Sequence, residues 1–567
     1  MKHNRSVMKH QFSRIPSADI QRSHFNRSHG YKTTFDSGYL VPFFIDEVLP
    51  GDTFNCRATI FARLATPIVP IMDNLFLDTF YFFVPNRLLW SNWERFNGAQ
   101  DNPGDSVDYL VPTVTAPSGG WPVGSLSDYF GLPTGVDGIE ADSFWHRAYN
   151  LIYNEWFRDE NLQDSVPVPK DDGPDDPDDF VLLRRGKRHD YFTSCLPWPQ
   201  KGPGLEVPIG GTGIPVTGTI NIQSTGQPIT IARGPNVTAY YDYNGGSQGS
   251  INSQFSTVRS AASASGAYNG YLINAFPQAG GGSALTPYST TFGADNAPFA
   301  ALRGVAGPDL QAQLMDTGVT INALREAFQM QRLFERDARG GTRYIEIIRN
   351  HFNVISPDAR LQRPEYLGGA SQRIVINPVA QTASTDSTTP QGNLAAYGLV
   401  SDSRGGFTKS FVEHGVIIGL VNVRADLTYQ QGLNRMFSRQ TRWDFYWPAL
   451  AHLGEQAVLN KEIYAQGTDV DDDVFGYQER WAEYRYKPSQ ITGKFRSTYA
   501  QSLDYWHLSQ RFDTLPTLSA QWIEDNPPID RIIAVPSEPE FLMDVYFSLQ
   551  CARPMPVYSV PGLIDHF

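Results

Sequence analysis

The sequence is poor in cysteine. It has three cysteines, Cys56, Cys195 and Cys551, which lie far apart and are odd in number. This pattern provides neither a disulfide framework nor the ligand spacing of a zinc site. We therefore expect reduced thiols in a protein made in a reducing cytoplasm. The N-terminus has charges but no apolar run, so the sequence predicts no secretion.

Long apolar runs are also missing. The main apolar stretch, residues 75–84, reads LFLDTFYFFV and is followed by Pro85. It is too short to cross a bilayer, which takes about 20 residues, so we predict no membrane insertion. Its aromatic and aliphatic side chains, without an internal glycine, favour a β-strand. Side chains alternate across a strand, and both faces here are apolar, so we expect other layers to cover both.

Catalytic and ligand-binding motifs are scarce as well. Residues 245–249 (GGSQG) fit the pattern G-x-S-x-G, but the low-complexity sequence on both sides does not fit the strand and helix of a nucleophile elbow. The sequence contains no HExxH motif, no Walker A motif, no dinucleotide fingerprint and no Cys/His cluster with ligand spacing. We therefore predict no catalytic residues, no metal site, no cofactor and no enzyme activity.

Acidic residues are concentrated in one loop. Residues 171–179 read DDGPDDPDD, a spacing that does not match an EF-hand. We expect a solvated acidic loop, with a calcium site as the alternative. The basic residues that follow, Arg184, Arg185, Lys187 and Arg188, are expected to pair with these acids or with a neighbouring copy of the chain.

Positive charge is concentrated at the N-terminus of a chain whose formal net charge is -13. The candidate DNA-binding residues, with Asp19 as the counter-charge, are Lys2, Arg5, Lys9, Arg14, Arg22 and Arg27. Local positive charge favours contact with phosphates, because such contacts release condensed counterions. The alternative is a solvated, frayed terminus. No aromatic residues are interleaved for base stacking, so any binding would be to the DNA backbone.

The chain divides into four parts by composition. We predict a basic arm at residues 1–35, the first part of a β-rich core at 36–201, a glycine-rich surface insertion of low charge at 202–309, and the rest of the core, ending in an extended tail, at 310–567. The predicted strands include 75–84, 416–423, 531–535 and 541–549. The predicted helices are 143–158, 321–339, 344–352 and a short helix beyond Pro448. In the first of them we expect Ser143 to be the N-cap, and His146 and Glu155 to lie on the polar side or at an interface.

Several long segments resemble the major capsid protein of the Microviridae, and of the gokushoviruses within that family. They are residues 28–54 (SHGYKTTFDSGYLVPFFIDEVLPGDTF), 70–98 (PIMDNLFLDTFYFFVPNRLLWSNWERFNG), 187–202 (KRHDYFTSCLPWPQKG), 357–369 (PDARLQRPEYLGG) and 474–493 (VFGYQERWAEYRYKPSQITG). They occur in the same order as in that family and span the chain from the arm to at least residue 493. The insertion contains no family motif.

The resemblance implies a mainly β protein, an eight-stranded antiparallel jelly roll with long loop insertions and a few helices. It further implies assembly in the host bacterial cytoplasm of sixty copies into a T=1 icosahedral virion shell around a single-stranded DNA genome. Residues 202–309 would form threefold projections that contact a host receptor. A scaffolding protein and a small basic DNA-binding protein would assist.

Two other classes of protein fit the composition. One is a β-sandwich carbohydrate-binding or adhesin protein with residues 202–309 as its ligand surface. The other is a glycoside hydrolase with a jelly-roll core, which requires two facing acids in a cleft. Only the capsid interpretation predicts uniform spherical particles in the electron microscope.

Overall fold

The computed structural model describes residues 21–202, 321–339, 350–351, 362–386 and 390–558, together with the backbone of short strands between 216 and 312. The chain forms two compact units. One comprises residues 1–203 and 333–567, and the other comprises residues 204–332.

The predicted central strand is confirmed. It spans Leu75–Pro85 and pairs antiparallel with Glu365–Arg373 on one side and with Gly415–Ala425 on the other. Val41–Val48 pairs with the far edge of Gly415–Ala425 and completes a four-stranded sheet. Every residue of Gly415–Ala425 is buried, which confirms the predicted strand at 416–423 and the covering of both faces.

A second, seven-stranded sheet has Thr53–Leu64 and Phe541–Arg553 as its central pair. Both strands alternate between buried and exposed residues along their length, so one face of this sheet is open. The strand predicted at 541–549 is confirmed and runs four residues further. The remaining strands of the sheet are Ser23–Asn26, His29–Phe35, Val375–Ala380, Leu394–Asp402 and Gly406–Ser410.

The two sheets pack face to face. Phe43 and Phe44 of the four-stranded sheet meet Phe547 of the seven-stranded sheet, with ring centroids 5.6 and 4.9 Å apart. These rings belong to one cluster of buried side chains from both sheets. The predicted fold class is therefore confirmed as a mainly β, antiparallel sandwich of the jelly-roll type. The strand pairings of the described residues do not close it into a barrel.

The outer face of the four-stranded sheet is covered by a helix and loops. Phe82 and Ile418 of the sheet belong to the same buried cluster as Tyr149 of the Phe144–Ile152 helix and Trp90 of a loop. The predicted helix is confirmed, and a π-helical turn, Tyr153–Phe157, continues it. Ser143 occupies the N-cap position without a side-chain capping bond, and Asp142 accepts the Phe144 N–H instead.

The other described elements of this unit are short. Further α-helices are Asn86–Leu89, Trp93–Phe96, Leu126–Tyr129, Asn460–Ile463, Ala482–Arg485 and Ala520–Ile523. Short paired strands are Thr113–Thr115 with Glu140–Asp142, Glu455–Leu459 with Val474–Glu479, and Thr428–Tyr429 with Ser489–Gln490. The 3-10 turns are Pro177–Asp179, Arg435–Phe437, Arg442–Asp444, Pro448–Leu450, Asp469–Asp472, Gly493–Phe495, Asp504–Trp506 and Ile529–Arg531.

In the unit formed by residues 204–332, the clearest feature is a hairpin in which Tyr268–Ala275 pairs antiparallel with Leu285–Phe292. The other strands there are two residues long, namely Val216–Thr217, Asn221–Ile222, Tyr240–Tyr241, Gly249–Ser250, Ala261–Ala262 and Gln311–Ala312. The predicted helix at 321–339 is confirmed as Ile321–Arg339.

Other predictions have different outcomes. The prediction of a strand at 531–535 is wrong, because Ile529–Arg531 forms a 3-10 turn and Ile533 makes only an isolated bridge to Pro67. Its isoleucines are buried, but they reach the core from a turn that follows Pro527 and Pro528. The helix predicted at 344–352 and the end of the extended tail lie mostly outside the described residues.

Candidate functional site

The candidate DNA-binding arm is described only in part. Lys2, Arg5, Lys9 and Arg14 lie outside the described residues. Arg22 donates a hydrogen bond of 2.7 Å to the Thr53 hydroxyl and has an exposed side chain. Arg27 forms a 2.5 Å ion pair with Asp46, which compensates its charge. Of the two described candidates, Arg22 is therefore the better placed to reach a phosphate, and DNA binding by the arm stays a prediction.

The acidic loop is only partly solvated, so that prediction was wrong for Asp175. Its buried carboxylate forms a bidentate ion pair with the fully buried Arg147, with N–O distances of 2.6 and 2.5 Å. Arg147 also donates to the backbone carbonyls of Leu89 and Asp171, at 3.0 Å each. The helix and the loop are thus fixed to each other. Sequence reasoning missed this pair because its members lie 28 residues apart.

His146 is also buried, which contradicts its predicted place on a polar or interface side. Its Nε2 lies 2.9 Å from the Ser127 hydroxyl, and its ring packs against Phe130 and Phe180. Burial lowers the pKa of His146 to about 4, although the negative charge of Asp175 opposes this shift. The imidazole is therefore neutral near pH 7, and its role is structural.

The basic segment after the acidic loop bonds within the chain, although not with that loop. Arg185 pairs with Asp78 at 2.7 Å, and Arg184 donates to the carbonyls of Ser37 and Asp525. Lys187 is buried near Trp522, and burial lowers its pKa to about 8. Burial raises the pKa of Asp525 to about 6, although Lys187 and neighbouring arginines oppose the shift. These contacts tie the 184–187 segment to residues 522–525.

One surface region exposes many aromatic side chains beside arginines. We call it the aromatic–arginine surface; it consists of Arg442, Trp443, Phe445, Tyr446, Trp447, Arg480 and Tyr484. Trp443 is 62% exposed and Tyr484 is 51% exposed. Monomeric soluble proteins rarely expose large contiguous apolar patches, so this surface is a candidate interaction site.

Contacts between its members show that this surface is continuous. The Arg442 guanidinium lies 4.7 Å from the centroid of the Trp447 ring. The Tyr446 and Tyr484 rings are 6.2 Å apart, and Arg480 donates to the Trp443 carbonyl. Behind them, Trp481 is buried and donates to the Leu450 carbonyl at 2.9 Å.

The sequence shows this density of Trp, Tyr, Phe and Arg between residues 439 and 486, but its pattern does not tell an exposed surface from a buried one. The predicted short helix beyond Pro448 is a 3-10 turn, Pro448–Leu450, beside the surface.

The described residues form neither a cluster of metal ligands nor a helix that could span a membrane. No three His, Cys, Asp or Glu side chains there cluster as metal ligands. No helix among them is long and apolar enough to cross a bilayer.

Comparisons with known proteins cover almost the whole chain. Residues 13–563 match the model of a family described as "Capsid protein (F protein)". The chain is 48% identical to the capsid protein VP1 of Bdellovibrio phage phiMH2K over 567 residues, and this alignment covers 98% of each protein. It is also 48% identical to the capsid protein VP1 of Chlamydia phage 1 over 609 residues, again with 98% of each covered. Identity to the capsid protein VP1 of Spiroplasma virus 4 is 37% over 574 residues, with coverage of 98% of this chain and 97% of the relative.

These matches agree with the jelly-roll sandwich, with the resemblance to the gokushovirus group of the Microviridae and with a structural role in virions. The chain belongs to the capsid protein (F protein) family.

Proposed function

We propose that this chain assembles as sixty copies into a T=1 icosahedral shell that encloses a single-stranded DNA genome, and that it has no enzyme activity. The observation that carries the proposal is the exposed aromatic–arginine surface in a chain whose relatives are capsid proteins. Trp, Tyr and Arg are the residues that most often dominate the free energy of protein interfaces. We therefore assign this surface to contact with a second copy of the chain.

The composition of the surface supports contact between copies. Fully buried interface cores favour aromatic residues and arginine, and they disfavour lysine and carboxylates. Arg439, which lies beneath the surface, already pairs with Glu483 at 3.2 Å and packs over the Tyr484 ring at 4.3 Å. This pair is mostly buried in the single chain, so a docking copy would not have to desolvate both charges. The exposed rings would supply most of the newly buried apolar area.

The substitution Trp443→Ser tests this assignment. The side chain is mostly exposed, so we expect the free energy of unfolding of the chain to change by less than about 0.5 kcal/mol. Loss of an interface hot spot costs about 2 kcal/mol or more per contact, and a shell repeats each contact many times. Shell yield in negative-stain microscopy and sedimentation should therefore fall sharply. Leu110→Ser, at a side chain 84% exposed, is the control and should assemble normally. Equal shell yields from the two variants would contradict the assignment.

We further propose that residues 202–309 form the host-attachment projection and bind a cell-surface receptor. The supporting observations are their low charge, their glycine-rich composition and the separate compact unit that residues 204–332 form. Replacing residues 202–309 with a short Gly/Ser linker should preserve particles but abolish adsorption to host cells. Normal adsorption by such particles would contradict the proposal.

The proposal includes assembly in the host bacterial cytoplasm with a scaffolding protein and a small basic DNA-binding protein. Expression of the chain alone in bacteria tests the need for these helpers. We expect few closed shells without them and recovery of shells when the phage's other proteins are supplied. Full assembly by the chain alone would contradict the need for helpers but not the shell itself.

A further inference from the structure

The open face of the seven-stranded sheet has a composition unlike that of the aromatic–arginine surface. Along Thr53–Leu64 its exposed residues are Asn55, Arg57, Thr59, Phe61 and Arg63. On the neighbouring strand, Phe541–Arg553, they are Leu542, Asp544, Tyr546, Ser548 and Gln550. Arginine side chains thus lie on either side of an exposed ring, among small polar residues.

The strand register fixes how these side chains are arranged. Arg63 lies opposite Leu542, Phe61 opposite Asp544, and Thr59 opposite Tyr546. Phe61 and Tyr546 are therefore diagonal neighbours on the same face, at a Cα separation of about 7–8 Å. Their side chains are 51% and 55% exposed. The face extends about 27 Å from Asn55 to Arg63, at about 3.4 Å per residue.

The charges of this face are mostly positive and uncompensated. Among the described residues, no carboxylate forms an ion pair with Arg57 or Arg63. The exposed carboxylate of Asp544 is paired with Lys32 at 2.7 Å. Arg22 adds a cation at the end of the strand, where it bonds to Thr53. This local excess of positive charge is notable in a chain with a net charge of -13.

A groove runs beside the same face. It has a volume of about 710 Å³, and its lining includes Lys32, Phe61 and Arg63 together with the carboxylates of Asp128 and Asp544. Asp128 does not belong to the sheet, and its carboxylate accepts a hydrogen bond from the Gly124 N–H at 2.7 Å. The groove therefore brings Lys32, Arg63 and the Phe61 ring around one space that is open to solvent.

From this arrangement we infer that the open sheet face binds single-stranded DNA without sequence preference. Arg57 and Arg63 bind phosphates, and bases stack on Phe61 and Tyr546. Single-stranded nucleic acids are bound in this way elsewhere, by cations that follow the backbone and rings that accept any base. A second copy of the chain fits this face less well, because the cores of interfaces between copies are more apolar, whereas the polar residues Thr59, Ser548 and Gln550 surround the two rings here. The inference rests on the proposed enclosure of single-stranded DNA.

Two pairs of variants test the phosphate contacts. Arg57→Gln with Arg63→Gln removes two cations from the face, and Lys170→Gln with Arg188→Gln removes two exposed cations elsewhere. The probe is a fluorescein-labelled oligonucleotide of about 16 thymidines, the upper end of the site sizes known for single-strand-binding folds. Binding to the full-length protein is followed by fluorescence anisotropy at several salt concentrations. The plot of log K against log salt has a negative slope, and we expect the face variant to make it shallower by about 1.4, at about 0.7 per lost phosphate contact. The control should change it far less.

A further pair of variants tests the stacking. Phe61→Leu with Tyr546→Leu keeps apolar volume but removes both rings, and Tyr558→Leu removes an exposed ring elsewhere. We expect the double variant to weaken oligonucleotide binding roughly tenfold or more with an unchanged salt slope. Thermal unfolding monitors the fold of every variant.

Particles made from the same variants give an independent measurement. Their DNA content, taken from the ratio of absorbance at 260 and 280 nm, should fall for the face variants and stay normal for the controls. Equal binding by face and control variants would overturn the inference. So would loss of shells with unchanged oligonucleotide binding, which would make this face an interface between copies. If the unmodified chain forms no shells, the proposed function fails, while the oligonucleotide experiment still decides this inference.

Discussion

The buried pair of Arg147 and Asp175 provides the sharpest stability prediction. The substitution Asp175→Asn keeps the size of the side chain but removes its charge. Arg147 is fully buried and an arginine stays protonated, so its guanidinium would remain as a buried charge. The partners that remain are the carbonyls of Leu89 and Asp171, which supply only partial negative charge, and the exposed Asp171 carboxylate, which lies 3.4 Å from the guanidinium.

The structure sets the magnitude of this effect. Removal of one partner of a buried ion pair costs about 3–5 kcal/mol, because it leaves an uncompensated buried charge. The lost contact is bidentate, with nitrogen to oxygen distances of 2.6 and 2.5 Å, but the exposed Asp171 carboxylate still offsets part of the Arg147 charge, so we expect the lower part of that range. The variant Arg147→Met with Asp175→Leu replaces both charges by apolar groups. It should be less destabilised than Asp175→Asn alone.

The assay is urea unfolding of the full-length chain before assembly, followed by tryptophan fluorescence. The indole N–H of Trp90 donates to Asp172 in the same loop, so its emission should report on this region. Asp178→Asn, at an exposed residue of the same loop, is the control and should change the free energy of unfolding by less than about 0.5 kcal/mol. Equal effects of Asp175→Asn and Asp178→Asn would refute the reasoning.

Three further predictions concern the core. Burial raises the pKa of the Glu540 carboxyl from 4.5 to about 7, so the folded chain holds this proton more tightly than the unfolded chain does. The contribution of Glu540 to the free energy of unfolding should therefore fall by roughly 3 kcal/mol as the pH rises from about 4.5 to about 7. Urea titrations at each pH should show a flatter dependence for Glu540→Gln. Burial raises the pKa of the Cys56 thiol to about 12, and all three thiols of the chain are buried. A thiol reagent should therefore label the native chain slowly and should label all three cysteines promptly in denaturant. Prompt labelling of Cys56 in the native chain would contradict its buried position. A Cβ at Gly432 would lie 1.9 Å from the Glu462 carbonyl oxygen, so Gly432→Ala should lower the thermal midpoint by an amount equivalent to about 1–3 kcal/mol, whereas Gly104→Ala, in open space, should not.

Strong local patterns in the sequence predicted much of the fold. The apolar run at 75–84 and the helical period at 321–339 each appear in the structure as predicted. In each case the signal lies in the residues of the element itself. The apolar pattern on both faces of the central strand also predicted that layers would cover it on both sides.

Features that depend on contacts between distant residues were not predictable in the same way. His146 looks polar in sequence, but its helix meets Phe130 and Phe180, which bury it. The isoleucines near residue 531 have strand propensity, yet two prolines and a turn place them in the core. In such cases tertiary packing overrides local preference.

The candidate surfaces were even less visible in the sequence. Alternating residues predict that a strand has one open face, but which cations share that face depends on the register between the Thr53–Leu64 and Phe541–Arg553 strands. These strands are separated by most of the chain. The aromatic–arginine surface likewise depends on bringing residue 443 close to residue 480 and residue 446 close to residue 484.

The most direct test of the account is electron microscopy of the purified full-length chain, produced together with its phage's other proteins. We predict uniform spherical shells with icosahedral symmetry and sixty copies of this chain, in which the aromatic–arginine surface is buried between neighbouring copies. Only monomers or small oligomers, or shells that leave Trp443 and Tyr484 exposed to solvent, would contradict it.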